Sequence, residues 1–460
     1  MSTLTPPTRR VPTSTRVGFG VGDFGFVLVW QGTALFLMYF YTDVMGISPV
    51  VAGTIYLAAM IWDAVTDPVF ATLAERTRTR WGRYRPWIGF GAVPFGIAFA
   101  LAFSTPGSLP VEPWVWALAT QLLLRTCYTV VSMPYNAMQA RLTSDADERT
   151  VLGGFRMIGA ATGGFVVATF MPEIVLAFSD QGEAYGYLLS ASIVGGFAVF
   201  ALLYCAATMR EPDITEDAPP QTGYFHDLAA VPGLLASNGQ LVRVFAITTI
   251  GSICMGMFGK NIVYHFKYDV MREDMVSTAL GVLSVLLIAS TPLWVILAKR
   301  TSKRDALSLG MMISAAGYLL FFFNPSSFLP GSLVAIALVG FGTASLPVLF
   351  WTMLSDTIEY GDLKTGIRAE SRSFGFATFA QKAAVGINAA LLGALLGWVG
   401  FEANSALSVS TLFGMKAIMT LIPTFGVTAI WLILRGYVID RKTHDEILAR
   451  LEKRDAGQAV

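Results

Sequence analysis

The chain holds only three cysteines and three histidines in 460 residues, and 14% of its residues are charged. Each scarcity excludes something. Cys127, Cys205 and Cys254 all fall inside long apolar blocks, so no disulfide framework is expected and their expected role is packing. His226, His265 and His444 are far apart in the chain, and no Cys, His or Glu cluster shows metal-ligand spacing. Intramembrane hydrolysis therefore has no visible catalytic set, and no enzyme is expected. Ten-residue segments of alternating polarity, the mark of an outer-membrane barrel, are missing as well. A formal net charge of +1 is uninformative by itself, and no nucleic-acid partner is expected.

Apolar residues, by contrast, make up 54% of the chain and recur in blocks about twenty long, the length that crosses a bilayer as a helix. The expected fold class is all-α and polytopic. A window count predicts about twelve crossings, centred near Trp30, Tyr56, Gly96, Leu123, Gly163, Phe197, Gly251, Val285, Gly317, Gly340, Ile387 and Ile430. The short polar connections alternate in charge. Arg76, Arg78, Arg80, Arg83 and Arg85 follow the second crossing, and STPGSLPVEP after the third has no Lys or Arg. Lys299, Arg300, Lys303 and Arg304 follow the eighth crossing, and NPSSFLPG after the ninth has none. Lys and Arg concentrate on the cytoplasmic side, so the Arg-rich loops and both termini are expected there, in a bacterial inner membrane. KYDVMREDM is the exception, its Lys267 and Arg272 outweighed by acids. The opening MSTLTPPTRRVPTSTR is polar and the apolar block after it is too long for a signal core, so no cleaved signal is expected.

Hydropathy collapses once, between Met209 and Gln240, in a stretch rich in Pro, Asp and Glu that reads as a linker with one short amphipathic helix. The expected organisation is a tail (1–16), a six-helix bundle (17–208), the linker (209–240), a second bundle (241–437) and a C-terminal tail (438–460). The halves repeat. TDPVFATLAERTRTR from Thr66 matches STPLWVILAKRTSKR from Ser290, with Pro68 and Pro292 224 residues apart (292 − 68). Asp43-Val44-Met45 recurs as Asp269-Val270-Met271 at nearly that offset. Two parallel six-helix halves are the architecture of alternating-access carriers, with substrate held midway between them.

Two acids interrupt the second crossing. Asp63 and Asp67 lie one helical turn apart in IYLAAMIWDAVTDPVFATLA. A carboxylate in hydrocarbon costs several kcal/mol unless paired, so the pair calls for a cation, a proton or a basic partner. The repeat places Leu287 and Thr291 at the equivalent positions, so whatever the acids bind is handled by the first half alone.

The strings FYTDVMGIS, WDAVTDP, RWGRYRPW, MPYNA, DADERT, FRM, DTIEYGDLKTGIRAE and FAQK, in this order and spacing from Gly18 to Lys382, resemble the glycoside-pentoside-hexuronide:cation symporters of the major facilitator superfamily. The resemblance implies two six-helix bundles, cation-driven uptake of a sugar or glycoside, and no cofactor beyond a coupling Na+ or H+. It implies that Asp63 and Asp67 bind the cation, as metal ligands if it is sodium, with Thr66 beside them and Thr129 as a hydroxyl ligand or a packing residue. Hard oxygen donors suit a small hard cation. It further implies that Lys382 links the cation site to the substrate, that Arg156 and Tyr128 face the sugar, and that Asp147, Arg149, Asp356, Glu359, Arg368 and Glu370 form a cytoplasmic gate. Arg156, next to the acidic DADERT loop, also reads as an anchor at the inner face.

The sequence departs from that family where melibiose-type carriers grip galactose. Ser132 and Asn136 stand at the positions of an aspartate and a tryptophan, and a first-span aspartate aligns with Asp23 or with Val27 depending on where a gap is placed. Losing an acid while keeping Arg156 and Lys382, with Arg125 one turn before Thr129, makes the expected cavity more positive and favours an acidic sugar. Trp30, Trp351, Tyr128 and Tyr135 are candidates for stacking on a sugar or for the membrane belt. Arg125 itself has three readings: a tethered cation beside Asp63 and Asp67, a substrate ligand, or a side chain snorkelling to the interface. The expected protein is a monomeric carrier whose partners are a sugar or glycoside, a monovalent cation and membrane lipid. A lysophospholipid-type or other anionic amphiphile carrier is the alternative, and a channel fits less well because it needs neither two homologous halves nor a single acidic pair.

Overall fold

The computed structural model describes residues 11–143, 145–209, 211, 232–366 and 369–455. Among them the secondary structure is helical. The apolar blocks form α1 (Thr13–Tyr39), α2 (Pro49–Arg76), α3 (Arg85–Ala102), α4 (Pro113–Leu142), α5 (Ala146–Ala177) and α6 (Glu183–Thr208). The second half gives α7 (Gly239–Cys254), α8 (Gly256–Tyr264), α9 (Val276–Arg300), α10 (Lys303–Phe323), α11 (Leu329–Thr343), α12 (Ser345–Thr365), α13 (Glu370–Trp398) and α14 (Val409–Leu434). Eleven helical stretches among the described residues are long and apolar enough to cross a bilayer, with α7 running on through α8 and α11 through α12. The fourth expected crossing is α4, 30 residues long and made less apolar by Gln121, Arg125, Gln139 and Arg141. Internal prolines at 68, 94, 134, 172, 292 and 423 are accommodated, as bundled membrane helices allow.

Contacts divide the chain into two units, 1–47 with 61–217 and 48–60 with 218–460. In the first, α1 packs on α5 through glycines. A Cβ on Gly159 would collide with the Gly20 carbonyl, and one on Gly20 would meet that of Phe155 at 2.6 Å. Small residues let two backbones approach this closely in lipid, where no hydrophobic effect drives helices together. Gly96 and Gly195 do the same for α3 and α6, a Cβ on Gly195 meeting the Gly96 carbonyl at 2.8 Å. In the second unit, the amide of Asn238 donates to the Thr357 carbonyl while its oxygen caps α7 at Leu241, closing the linker end onto α12. Residues 232–237 are helical, as the short helix expected in the linker; 212–231 lie outside the described residues.

The repeat has a structural counterpart. Each half's first helix ends in a π turn, Phe40–Val44 and His265–Asp269, closed by Met45 N–H to Phe40 O and by Val270 N–H to His265 O, both 3.0 Å. The equivalence is therefore 225 residues (270 − 45). The matching Asp-Val-Met strings sit 226 apart (269 − 43), one residue out of register with the backbone.

The C-terminal tail carries a helix of its own. Most of it is α15 (Arg441–Asp455), which buries Ile447 and Leu451. Its start is capped by Asp440, whose carboxylate accepts from Thr443 N–H at 2.8 Å and is held below the usual carboxylate range by that bond. Arg454 then grips Asp362 of α12 through both oxygens, at 2.9 and 3.2 Å.

Candidate functional site

The acidic pair of α2 is positioned by two contacts with α4. Trp62 Nε1 donates to Thr126 Oγ1 at 2.9 Å, and one turn on, Thr129 Oγ1 lies 3.0 Å from Asp63 Oδ1 and 3.0 Å from Asp67 Oδ1. Asp63 and Thr129 are fully buried and Asp67 half-buried. One hydroxyl thus stands between two carboxylates and has one hydrogen to offer them. The three residues supply only hard oxygen donors, which suits Na+, Li+ or a proton. Thr66 contributes differently: its hydroxyl donates back to the Trp62 carbonyl at 2.9 Å, so its hydrogen is committed to its own helix.

Arg125 is buried on the same helix as Thr129, with its guanidinium 4.9 Å above the ring of Trp30. Trp30 lies 5.6 Å from Tyr128, which also packs on Phe26 and Phe95 at 5.8 and 5.9 Å. Trp30 and Tyr128 therefore belong to an aromatic cluster that holds Arg125 by its face.

A second polar group forms where α1 meets α5. The Gly20–Gly159 crossing brings Asp23 against Arg156, whose Nη2 lies 3.1 Å from Asp23 Oδ1 and 3.0 Å from Asn136 Oδ1. Nη1 donates to Gln139 Oε1 at 2.9 Å, and the guanidinium stacks over Tyr135 and Phe19 at 5.1 and 5.4 Å. Of the two alignments left open for the first-span acid, it is Asp23 rather than Val27 that stands beside Arg156, and its carboxylate offsets the positive charge from which an acidic sugar was argued. Ser132, one turn before Asn136, is buried with a hydroxyl that makes no hydrogen bond among the described residues.

The remaining candidates belong to the second unit. Lys382 is half-buried on α13, one residue beyond Gln381, whose amide donates to Thr248 Oγ1 at 3.0 Å. Trp351 is 38% exposed and stacks at 5.9 Å on Phe374, as a belt residue does. Asp356 takes both its oxygens to Lys303 Nζ at 2.7 Å, and His444 of α15 lies 2.7 Å from Glu359 Oε2 and 3.3 Å from Asp356 Oδ1. Histidine, Asp and Glu thus do meet, with donor atoms within 4.8 Å, although nothing in the spacing of the sequence announced it. The Lys303 ammonium already fills the place beside Asp356 that a metal would need. Arg149 donates to the Thr143 carbonyl at 3.0 Å, and Glu370 is exposed in the first turn of α13. Arg368 lies outside the described residues, as does the side chain of Asp147.

Lys260 and Gln121 were missed. Lys260, buried on α8, donates to Asn388 Oδ1 at 2.6 Å and lies 4.9 Å from the ring centre of Tyr56. It stands alone among apolar residues in GSICMGMFGKNIVY, and the rule that singled out Lys382 applies to it equally. Gln121 is fully buried on α4 with both amide atoms unpartnered among the described residues, a cost of about 2–7 kcal/mol unless a partner arrives.

Two helical halves, an acid pair bridged by a hydroxyl and the buried Arg125 on the same bundle define a secondary transporter rather than an enzyme. The family model described as MFS/sugar transport protein matches residues 18–441, and the chain belongs to that family, in its glycoside-pentoside-hexuronide:cation symporter branch of the major facilitator superfamily. The isoprimeverose transporter of Lactiplantibacillus pentosus is 31% identical over 456 residues, 97% of this chain and 93% of that protein. The glucuronide carrier protein homolog of Escherichia coli is 27% identical over 459 residues, 96% of each. The crystal structure of the nucleoside transporter NupG matches with a TM-score of 0.63 at 14% identity, covering 90% of this chain and 98% of that one, a likeness of fold alone. The protein is a multi-pass carrier for sugar-type solutes.

Proposed function

We propose that this carrier couples inward transport of a sugar or glycoside to a monovalent cation, Na+ or H+, held by Asp63, Asp67 and Thr129. The observation that carries this reading is the Thr129 hydroxyl 3.0 Å from both carboxylates. A buried and a half-buried acid sharing one hydroxyl present the hard oxygen donors that a small cation takes. Asp23, Arg156, Asn136 and Gln139 then serve as the polar end of the sugar site, their donors and acceptors matched to hydroxyl groups. Trp30 and Tyr128 offer ring faces, and Ser132 an unfilled hydroxyl. Lys382 and Lys260 are the charges by which the second unit responds to the ion.

Within this reading we favour an acidic sugar, because Arg125 stands on Trp30 in addition to the Arg156–Asp23 pair. Among the relatives, one is named an isoprimeverose transporter and another a glucuronide carrier protein homolog. The protein works as a monomer in the bacterial inner membrane, with both termini and the Arg-rich loops cytoplasmic. The test is uptake into proteoliposomes under imposed sodium and proton gradients. Asp63→Asn should abolish accumulation against a gradient while substrate still stabilises the protein thermally. Full accumulation by Asp63→Asn would remove the cation assignment.

A further inference from the structure

A groove of about 340 Å³ lies on the first unit between the start of α3 and the last turns of α6. Its walls are Trp81, Pro86, Gly89, Phe90 and Leu203, almost wholly apolar, and Arg85 closes one end. Trp81 and Phe90 stand 44% and 70% exposed and meet edge to face at 5.7 Å. The α3 wall carries no side chain at Gly89, where an added Cβ would find only Ala206 Cβ within 4 Å, at 3.6 Å.

The mouth is basic. Arg85 lines it and Arg80 stacks on its wall residue Trp81, in a loop that also carries Arg76, Arg78 and Arg83, against Glu75 and Glu211. Two of the positive features are already used. The N-terminus of α3 binds the Glu211 carboxylate through the N–H groups of Arg83, Tyr84 and Arg85, at 2.8, 2.6 and 2.8 Å. The Arg85 guanidinium donates to the last carbonyls of α6, at Ala206 and Ala207. Arg80 is exposed beside the groove, stacked 4.4 Å above the ring of its wall residue Trp81, where a tryptophan marks the membrane interface, and Arg83 follows two residues after Trp81.

We propose that this groove is a binding site for an anionic phospholipid. One acyl chain lies in the channel along Gly89, Phe90 and Leu203, and the phosphate sits at the mouth on Arg80 and Arg83. Apolar recess and basic rim are complementary to the two ends of such a lipid, and basic pockets between helices on the cytoplasmic side are where acidic head groups bind. The leaflet rests on the orientation proposed above; the site itself is independent of sugar and of coupling ion.

The experiment is thermal unfolding and native mass spectrometry of delipidated protein in detergent, titrated with phosphatidylglycerol, phosphatidylcholine or inorganic phosphate. Phosphatidylglycerol should raise the unfolding midpoint at a concentration at least about tenfold lower than phosphatidylcholine, and phosphate should do nothing. Arg80→Gln with Arg83→Gln should erase that preference, and Arg80→Lys should keep much of it. Gly89→Leu, which fills the groove from the α3 wall, should abolish retention of the lipid; if it fails to fold, Leu203→Trp closes the same channel from the other wall. Equal responses to both lipids, a response to phosphate alone, or full phosphatidylglycerol retention in the filled groove would each overturn the proposal.

Discussion

Arg156 and Asp23, 133 residues apart in the chain, meet at 3.1 Å because Gly20 and Gly159 let α1 and α5 come together. Breaking such a pair leaves its partner's charge poorly solvated. Asp23→Asn should therefore cost about 3 kcal/mol of stability, the lower end of the range for breaking a buried pair, since both groups keep some exposure. The double variant Asp23→Asn with Arg156→Gln should recover most of that loss and yet not transport. Unfolding midpoints beside sugar uptake check this; recovery of uptake in the double variant would show the pair to be structural.

The Thr129 hydroxyl offers a cleaner probe of the ion site than the acids. Thr129→Val keeps the shape and removes the oxygen, so cation affinity should fall at least about tenfold, the equivalent of one 1.4 kcal/mol ligand. Thr129→Ser should retain it. The measurement is the sodium or pH concentration giving half-maximal uptake, and an unchanged value in the valine variant counts against the assignment.

Lys260 separates charge from hydrogen bonding. Lys260→Gln preserves a donor for Asn388 Oδ1 and removes the ammonium. If the charge takes part in coupling, accumulation is lost while exchange of substrate across the membrane continues. If Lys260 only holds α8 to α13, the glutamine variant behaves as wild type in both assays.

The C-terminal helix should be separable from transport chemistry. Arg454→Ala removes the grip on Asp362 and should lower stability by about 1 kcal/mol or less, because Arg454 is itself partly exposed. The folded Asp440 carboxylate titrates below its unfolded value, so its contribution holds above the ordinary carboxylate range and fades as pH falls through the folded one. Asp440→Asn should therefore narrow the difference in stability between neutral and acid pH. Thermal unfolding across that pH range is the check.

The parts of this molecule legible beforehand are those written in single residues against a uniform background. Asp63, Asp67 and Arg125 stand out because a charge among apolar residues needs a reason, and α2 and α4 bring the two acids and the neighbouring Thr129 together. What escaped depended on distance in the chain. His444 reaches Glu359 across 85 residues, and Asp23 meets Arg156 only because α1 and α5 cross at glycines that look like any others. Lys260 is a different failure, since the rule that singles out Lys382 applies to it with equal force. The matching Asp-Val-Met letters lie one residue off the equivalent π-turn hydrogen bonds, a register that the letters alone do not carry.

The two π turns carry a consequence for how this chain can change. In an ordinary helix a lost residue turns everything on one side of it by about 100°. A π turn already holds one residue more than its neighbours, so removing it would restore regular winding while swinging Asp23 and Trp30 away from their partners on α5 and α4. At Phe40–Val44 and His265–Asp269 the inherited quantity is length. Substitutions that keep that length can erase any resemblance between the halves, whereas a single deletion at Phe40–Val44 should displace Asp23 and Trp30 of the sugar site together.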